Sequence, residues 1–262
     1  MNRLAWWILA RYINAQWSPA INRVRTRMGL RPFRDLYRRD FFSPCLDLVG
    51  VSRHVAHRPP DWPRQTHVTG YWFLERPDWS PPPVLAAFLA AGPKPIAIGF
   101  GSMSTEDRVG LTRTVVEAAR RTGERAVLQS GWAGLGAADL SPSVFLAGDV
   151  PHDWLFPRVR AAVHHGGAGT TSAVFQAGVP SVFVPHIADQ RMWAGIAGRL
   201  GVAPAPVLRP ALTTERLARA IVATRAPAMA TRAARLGELI RGEDGVGEAV
   251  RLVERAASES SR

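Results

Sequence analysis

The feature that most constrains this chain is an alternation that begins after Pro83. Short, uninterrupted apolar runs at 95–100, 126–130, 144–147, 161–164 and 181–185 are separated by stretches of helical spacing at 105–121, 170–177 and 190–200. Apolar runs without polar alternation must be covered on both faces, and crossover helices supply that cover. The expected fold class is α/β, a Rossmann-like parallel sheet flanked by helices. Three further helical stretches, at 214–224, 228–241 and 245–257, close the chain, and it contains no internal repeat.

The sequence before Pro83 is of a different kind. Leu4, Trp7, Ile8, Tyr12, Ile13, Trp17, Ile21 and Val24 recur at three- and four-residue steps, which predicts a helix over 2–28. Pro19 predicts a break or kink in it, and Gly29 with Pro32 a stop. A short strand is expected at 45–52. The segment 58–83, with Pro59, Pro60, Pro63, Pro77 and Pro81 to Pro83, reads as a linker or surface wrap. Two domains follow, at 1–82 and 83–262, and 262 residues suffice for two modest cores.

Composition removes several function classes. Cys45 is the only cysteine, so neither an intrachain disulfide nor a thiolate zinc cage can form, which fits a cytoplasmic location. The apolar Trp6-Trp7-Ile8-Leu9-Ala10 run ends at Arg11, short of the ~20 residues a membrane span needs, and no cleavage site follows, so no signal peptide is expected. The net charge of +12 raises nucleic acid or an anionic membrane as partners. Lys94 is the only lysine, however, and the arginines are scattered among alanines, so nucleic acid is set aside. A peripheral membrane contact is retained, because arginines near acidic lipid contribute about 1 kcal/mol each.

In open parallel sheets, ligands bind outside the carboxyl ends of the strands. The loop after the fourth strand reads His164-His165-Gly166-Gly167-Ala168-Gly169-Thr170-Thr171. Its glycines let a ligand approach the backbone, Thr170 or Thr171 can cap the following helix, and the free N–H groups of that helix make an anion cradle suited to a diphosphate. A tight turn alone accounts for one or two glycines, not for three beside two histidines. There is no lysine for a Walker loop, and adjacent histidines on a strand point to opposite faces, which suits zinc poorly. One histidine should therefore be buried and the other face the crevice, and His165 is assigned to the ligand side.

The first strand ends Gly99-Phe100-Gly101-Ser102-Met103-Ser104, which lacks the third glycine of a dinucleotide fingerprint. A nicotinamide or flavin site is disfavoured. Ser102 either approaches a phosphate or sugar oxygen or sits in a plain turn. Beyond the fifth strand, Asp189 and Gln190 stand at a helix start, where they serve as caps or bind vicinal hydroxyls of a sugar; taken alone, the cap reading is preferred.

The ordered set of Gly99 to Met103, Ser130-Gly131-Trp132, Asp149-Val150-Pro151-His152-Asp153-Trp154-Leu155-Phe156-Pro157, the glycine-rich loop, Gly178-Val179-Pro180 and Asp189-Gln190 resembles the C-terminal, donor-binding half of GT-B glycosyltransferases. More narrowly, it is similar to family 1 nucleotide-sugar enzymes of the sterol and macrocyclic antibiotic type, and the match runs from about Gly92 to the end. The resemblance implies a nucleotide base lying along the segment from Asp149 to His152, with Val150 as contact and Trp132 stacked on the base or walling its pocket. It implies a diphosphate held by His165 and by the N–H groups of Gly167, Ala168, Gly169 and Thr170, and a donor sugar orientated by Asp189 and Gln190. Plant members place a glutamate for the ribose where this chain has Ala173, so ribose recognition must come from elsewhere.

The resemblance further implies inverting transfer of a hexose from a UDP- or dTDP-sugar to a hydroxyl of a lipophilic acceptor, with no metal and no other cofactor; the absence of an Asp-x-Asp pair agrees with that. A complete enzyme of this kind carries an N-terminal domain that holds the acceptor and the general base. Residues 2–71 resemble only the last part of that domain. The expectation is therefore a donor-binding portion that needs an acceptor domain, as a split or truncated enzyme, against the alternative of a noncatalytic nucleotide-sugar binding module.

Overall fold

The computed structural model describes residues 3–37, 42–74, 78–101, 107–129 and 141–260. In chain order the elements are α1 Arg3–Arg27, β1 Asp47–Val49, β2 Thr66–Val68, α2 Pro83–Ala90, β3 Ile96–Gly99, α3 Arg108–Thr122, β4 Ala126–Gln129, β5 Val144–Ala147, α4 His152–Leu155, β6 Ala161–His164, α5 Ala168–Ala177, β7 Ser181–Phe183, α6 Ala188–Leu200, α7 Thr214–Ala223, α8 Pro227–Arg241 and α9 Gly245–Ser260. Short 3-10 turns lie at Phe156–Arg158 and Arg209–Ala211. The chain forms two compact units, one of Met1–Arg53, His57–Trp72 and Asp244–Arg262, the other of His54–Ala56 and Phe73–Glu243.

In the first unit, β1 and β2 pair in parallel, with Asp47 opposite Thr66 and Val49 opposite Val68. The segment 58–83 is thus not only a wrap: its middle supplies β2, and its end supplies the first turn of α2, entered through Pro83. Proline is suited to the first turn of a helix, where its missing N–H would have no partner. The Arg58 guanidinium ties the turn before β2 together, donating to the carbonyls of Trp62, Pro63 and Thr66. Helix α1 runs through Pro19 without interruption. Asn14 fixes the chain beyond it, donating to Asp35 and accepting from the backbone N–H of Tyr37.

The second unit is built on a five-stranded, all-parallel sheet in the order β5-β4-β3-β6-β7. Side chains alternate across a strand, and here both faces are apolar. On β3, Ile96 and Ile98 pack with Leu111, Val115, Leu217 and Ile221 of α3 and α7. Ala97, between them, joins Leu85, Leu155 and Val174 on the opposite face. The same alternation places Leu128 on one side and Val127 on the other. This double burial is the reason the strands read as unbroken apolar runs.

The ends of the elements shift from those expected by a few residues, each for a local reason. Helix α5 begins at Ala168 rather than 170, with Gly167 at its N-cap and no side-chain cap. Thr170 and Thr171 are therefore inside the first turn and do not cap it, because a capping residue must precede the first helical position. Helix α6 likewise starts at Ala188, and β7 ends at Phe183, so Val184 and Pro185 belong to the following loop.

Candidate functional site

Beginning with β3, the five strands of the sheet lie in spatial order three, two, one, four, five. The direction of winding reverses between β3 and β6, and a crevice opens at their carboxyl ends. Gly99 of β3 pairs with His164 of β6, so the loops that follow them emerge side by side. A cavity of about 410 Å³ sits there, with Gly99, Gly101, Gln129, Val150, His164 and Thr170 in its walls. Ser102 and Trp132, expected at this rim, lie outside the described residues.

Both histidines are buried, His164 at 1% and His165 at 8% exposure, and His164 rather than His165 is among the residues that line the cavity. The His164 side chain is fully buried, its ring 4.5 Å from that of Phe183, and its Nδ1 accepts the N–H of Gly166 at 3.2 Å. Burial, assisted by His165 and His152, pushes its pKa down to about 3, so it is a neutral structural group. His165 turns the other way and is clamped between glycines. A methyl group on Gly101 would stand 2.9 Å from its Cε1, and one on Gly167 would stand 2.4 Å from its Nε2. Burial lowers the His165 pKa, the Asp189 carboxylate opposes that shift, and His152 adds to it. Nδ1 of His165 is buried without a partner among the described residues, whereas Nε2 lies over Gly167 at the mouth of α5.

The first turn of α5 supplies the other donors. The first i to i−4 bond runs from Thr171 to Gly167, which leaves the N–H groups of Ala168, Gly169 and Thr170 outside the helical ladder. Ala168 and Gly169 are exposed, and a side chain on Gly169 would meet nothing within 4 Å. Gly166, at φ +94°, makes the sharp entry possible; a methyl group there would strike Phe183 and the Gln190 carbonyl. An imidazole and three amides outside the helical ladder, at the positive end of a helix dipole, are groups that can receive an oxyanion.

The segment after β5 forms one wall. Val150 is buried, and its carbonyl accepts from Gln129 Nε2 at 3.0 Å. His152 opens α4 and stacks on Phe156 at 4.7 Å. Gln129 was not singled out from the sequence; its signal is a polar residue closing an apolar run at the ligand-side end of the sheet. His186 was also missed. It follows β7, packs edge-on to Phe100, and has its pKa pushed down to about 4 by burial, with Arg209 and His165 contributing.

Asp189 and Gln190 fall at the start of α6 but do different things. Asp189 is exposed. Gln190 is 2% exposed, and its Oε1 accepts the N–H groups of His186 at 2.7 Å and Ile187 at 3.2 Å, as a capping side chain would. Among the described residues no cluster of three or more His, Cys, Asp or Glu could hold a metal ion, and no helix is long and apolar enough to cross a membrane.

A doubly wound parallel domain with a crevice at its switch point is a common ligand-binding architecture. Comparison with known proteins narrows it. Residues 115–243 match the family described as Erythromycin biosynthesis protein CIII-like, C-terminal domain. The chain is 40% identical over 262 residues to O-mycaminosyltylonolide 6-deoxyallosyltransferase of Streptomyces fradiae, covering 97% of this chain and 60% of that protein. It is 39% identical over 202 residues to sterol 3-beta-glucosyltransferase UGT80A2 of Arabidopsis thaliana, covering 76% of this chain and 32% of that protein. In fold it matches the glycotransferase of kitacinnamycin with a TM-score of 0.72 at 23% identity, covering 97% of this chain and 66% of that one. It also matches CalG4, the calicheamicin glycosyltransferase, with a TM-score of 0.66 at 19% identity, over 93% and 61% of the two chains. The chain is thus homologous to sterol and macrolide glycosyltransferases, and its fold is that of the C-terminal half of the GT-B architecture. It spans 60% of the length of the Streptomyces fradiae relative.

Proposed function

We propose that this chain is the donor-binding portion of an inverting glycosyltransferase that moves a hexose from a UDP- or dTDP-sugar to a hydroxyl of a lipophilic acceptor. The observation that carries the reading is the clamped His165 ring beside the uncapped start of α5. The diphosphate sits on Nε2–H of His165 and on the N–H groups of Ala168, Gly169 and Thr170. As the bond from the sugar C1 to the diphosphate oxygen breaks, negative charge builds on that oxygen, and donors already in place stabilise it without reorganising.

The base lies along the Asp149 to His152 segment, against the backbone of Val150. Asp189, exposed beside the cradle, takes the hydroxyls of the donor sugar, and Gln190 holds the turn that presents it. The acceptor hydroxyl attacks C1 from the face opposite the leaving group and gives its proton to a base on an acceptor-binding domain. Neutral His165 suits this role, because an N–H donor is needed and its buried Nδ1 disfavours a second proton.

Calorimetry with UDP and dTDP tests the reading. Heat of binding is expected for the wild type and none for Gly167→Val, whose side chain would occupy the position of His165 Nε2. Absence of binding to the folded wild type overturns it. A noncatalytic binding module would bind but give no sugar transfer to sterol or macrolide acceptors, even when an acceptor domain is added.

A further inference from the structure

Resting on the nucleotide-sugar reading above, we infer that Gln176 and Arg241 recognise the pentose hydroxyls of the donor nucleotide. A second cavity, of about 860 Å³, shares Asp149, Val150 and His152 with the smaller cleft and extends along α5 past Ala173, Gln176 and Ala177 to Arg241. A nucleotide whose diphosphate rests at Gly169 is measured out by the helix. Ala173 lies about 6 Å further along the axis and Gln176 about 10 Å, which is the reach of a pentose and its base.

Ala173 and Ala177 offer that pentose nothing polar. Apart from Asp149, His152 and Asp153 of the segment after β5, the polar residues lining this cavity are Gln176 and Arg241. Arg241 is the last residue of α8, and its Nη1 donates to the Gln176 carbonyl at 2.5 Å. Its path depends on Gly237, because a methyl group there would stand 2.9 Å from that same Nη1. One nitrogen is thus tethered at the C-terminal turn of α5, while the rest of the guanidinium has no protein acceptor among the described residues. A sugar hydroxyl both donates and accepts. The Gln176 amide can do both in return, and the guanidinium adds donors in a fixed fork.

The test compares UDP with its 2′,3′-dideoxy analogue, alongside inorganic pyrophosphate, in wild type, Gln176→Ala and Arg241→Met. The wild type is expected to bind UDP about tenfold tighter than the dideoxy analogue, with both variants reducing that ratio to about two and leaving pyrophosphate affinity unchanged. A purely structural role for Arg241 would lower thermal stability and leave the ratio intact. The inference falls if the ratio is the same in the variants, or if the wild type shows no discrimination. Should Arg241→Met fail to fold, Gln176→Ala decides, since it retains the backbone carbonyl that Arg241 grips. If the wild type binds UDP and pyrophosphate not at all, the diphosphate reading itself fails and takes this inference with it.

Discussion

Gly101 and His165 are in contact such that a single methyl group on the glycine would come within 2.9 Å of the imidazole Cε1. Gly101 also sits at φ +59°, where a side chain is strained regardless of neighbours. The loop after β3 therefore limits where the ring that follows β6 can lie.

Gly101→Ala should lower stability by about 1–3 kcal/mol, through backbone strain and the displaced ring. It should also weaken UDP binding by at least about tenfold. Gly169→Leu is the complementary case. A Cβ there meets nothing within 4 Å, so thermal stability should hold while UDP binding is lost. Urea melts paired with calorimetry separate the two outcomes.

The buried His164 predicts a pH dependence of stability. Its pKa is about 3 in the folded chain against 6.5 for the free side chain, so the unfolded state binds a proton across that window and the folded state does not. Stability should accordingly fall as the pH drops from about 6.5 towards 3, with a slope from this residue of up to ~1.4 kcal/mol per pH unit. His186, lowered to about 4, adds to it in the same direction. Urea midpoints from pH 7 to 4 measure the slope, and His164→Phe should flatten it while lowering stability overall, because Gly166 loses its acceptor.

At the amino-terminal rim of the sheet, Glu124 is held by Arg160 at 2.7 Å and Arg225 at 2.8 Å, and Arg160 also donates to Thr224. Glu124→Gln should cost about 1–3 kcal/mol, roughly 3–10 °C in melting temperature, since it leaves the partly buried Arg160 guanidinium without its counter-charge. UDP affinity should be unchanged. A parallel loss of affinity would show that the two rims are coupled.

Asp189→Asn distinguishes sugar recognition from nucleotide recognition. UDP should bind as in the wild type, whereas a UDP-sugar should lose about tenfold in affinity, because an amide replaces a charged acceptor of the sugar hydroxyls. Equal losses for both ligands would place Asp189 with the diphosphate instead, through its field at His165.

The sheet was legible because its strands are apolar on both faces, whereas strand alternation did not show that His164 and His165 are both buried. Strand β2 was not legible: three residues, Thr66 to Val68, have no periodicity to read, and prolines dominate their surroundings. Helix α2 hid behind Pro81, Pro82 and Pro83, which read as a loop until the last of them becomes a first-turn residue. In the site, the glycine spacing marked the turn that leads from β6 into α5. Arg241 had no such signal, because its position depends on Gly237 and on a carbonyl 65 residues away in sequence, a relation that only the packing of α8 against α5 creates.

The ion network around Glu124 and the clamp around His165 occupy opposite margins of one sheet, separated by the full length of its strands. Anchorage and recognition are thus assigned to different loops, and substitutions can accumulate on the recognising side without loosening the body that presents it. A lineage built this way can alter what its crevice accepts in small steps, each intermediate still folding.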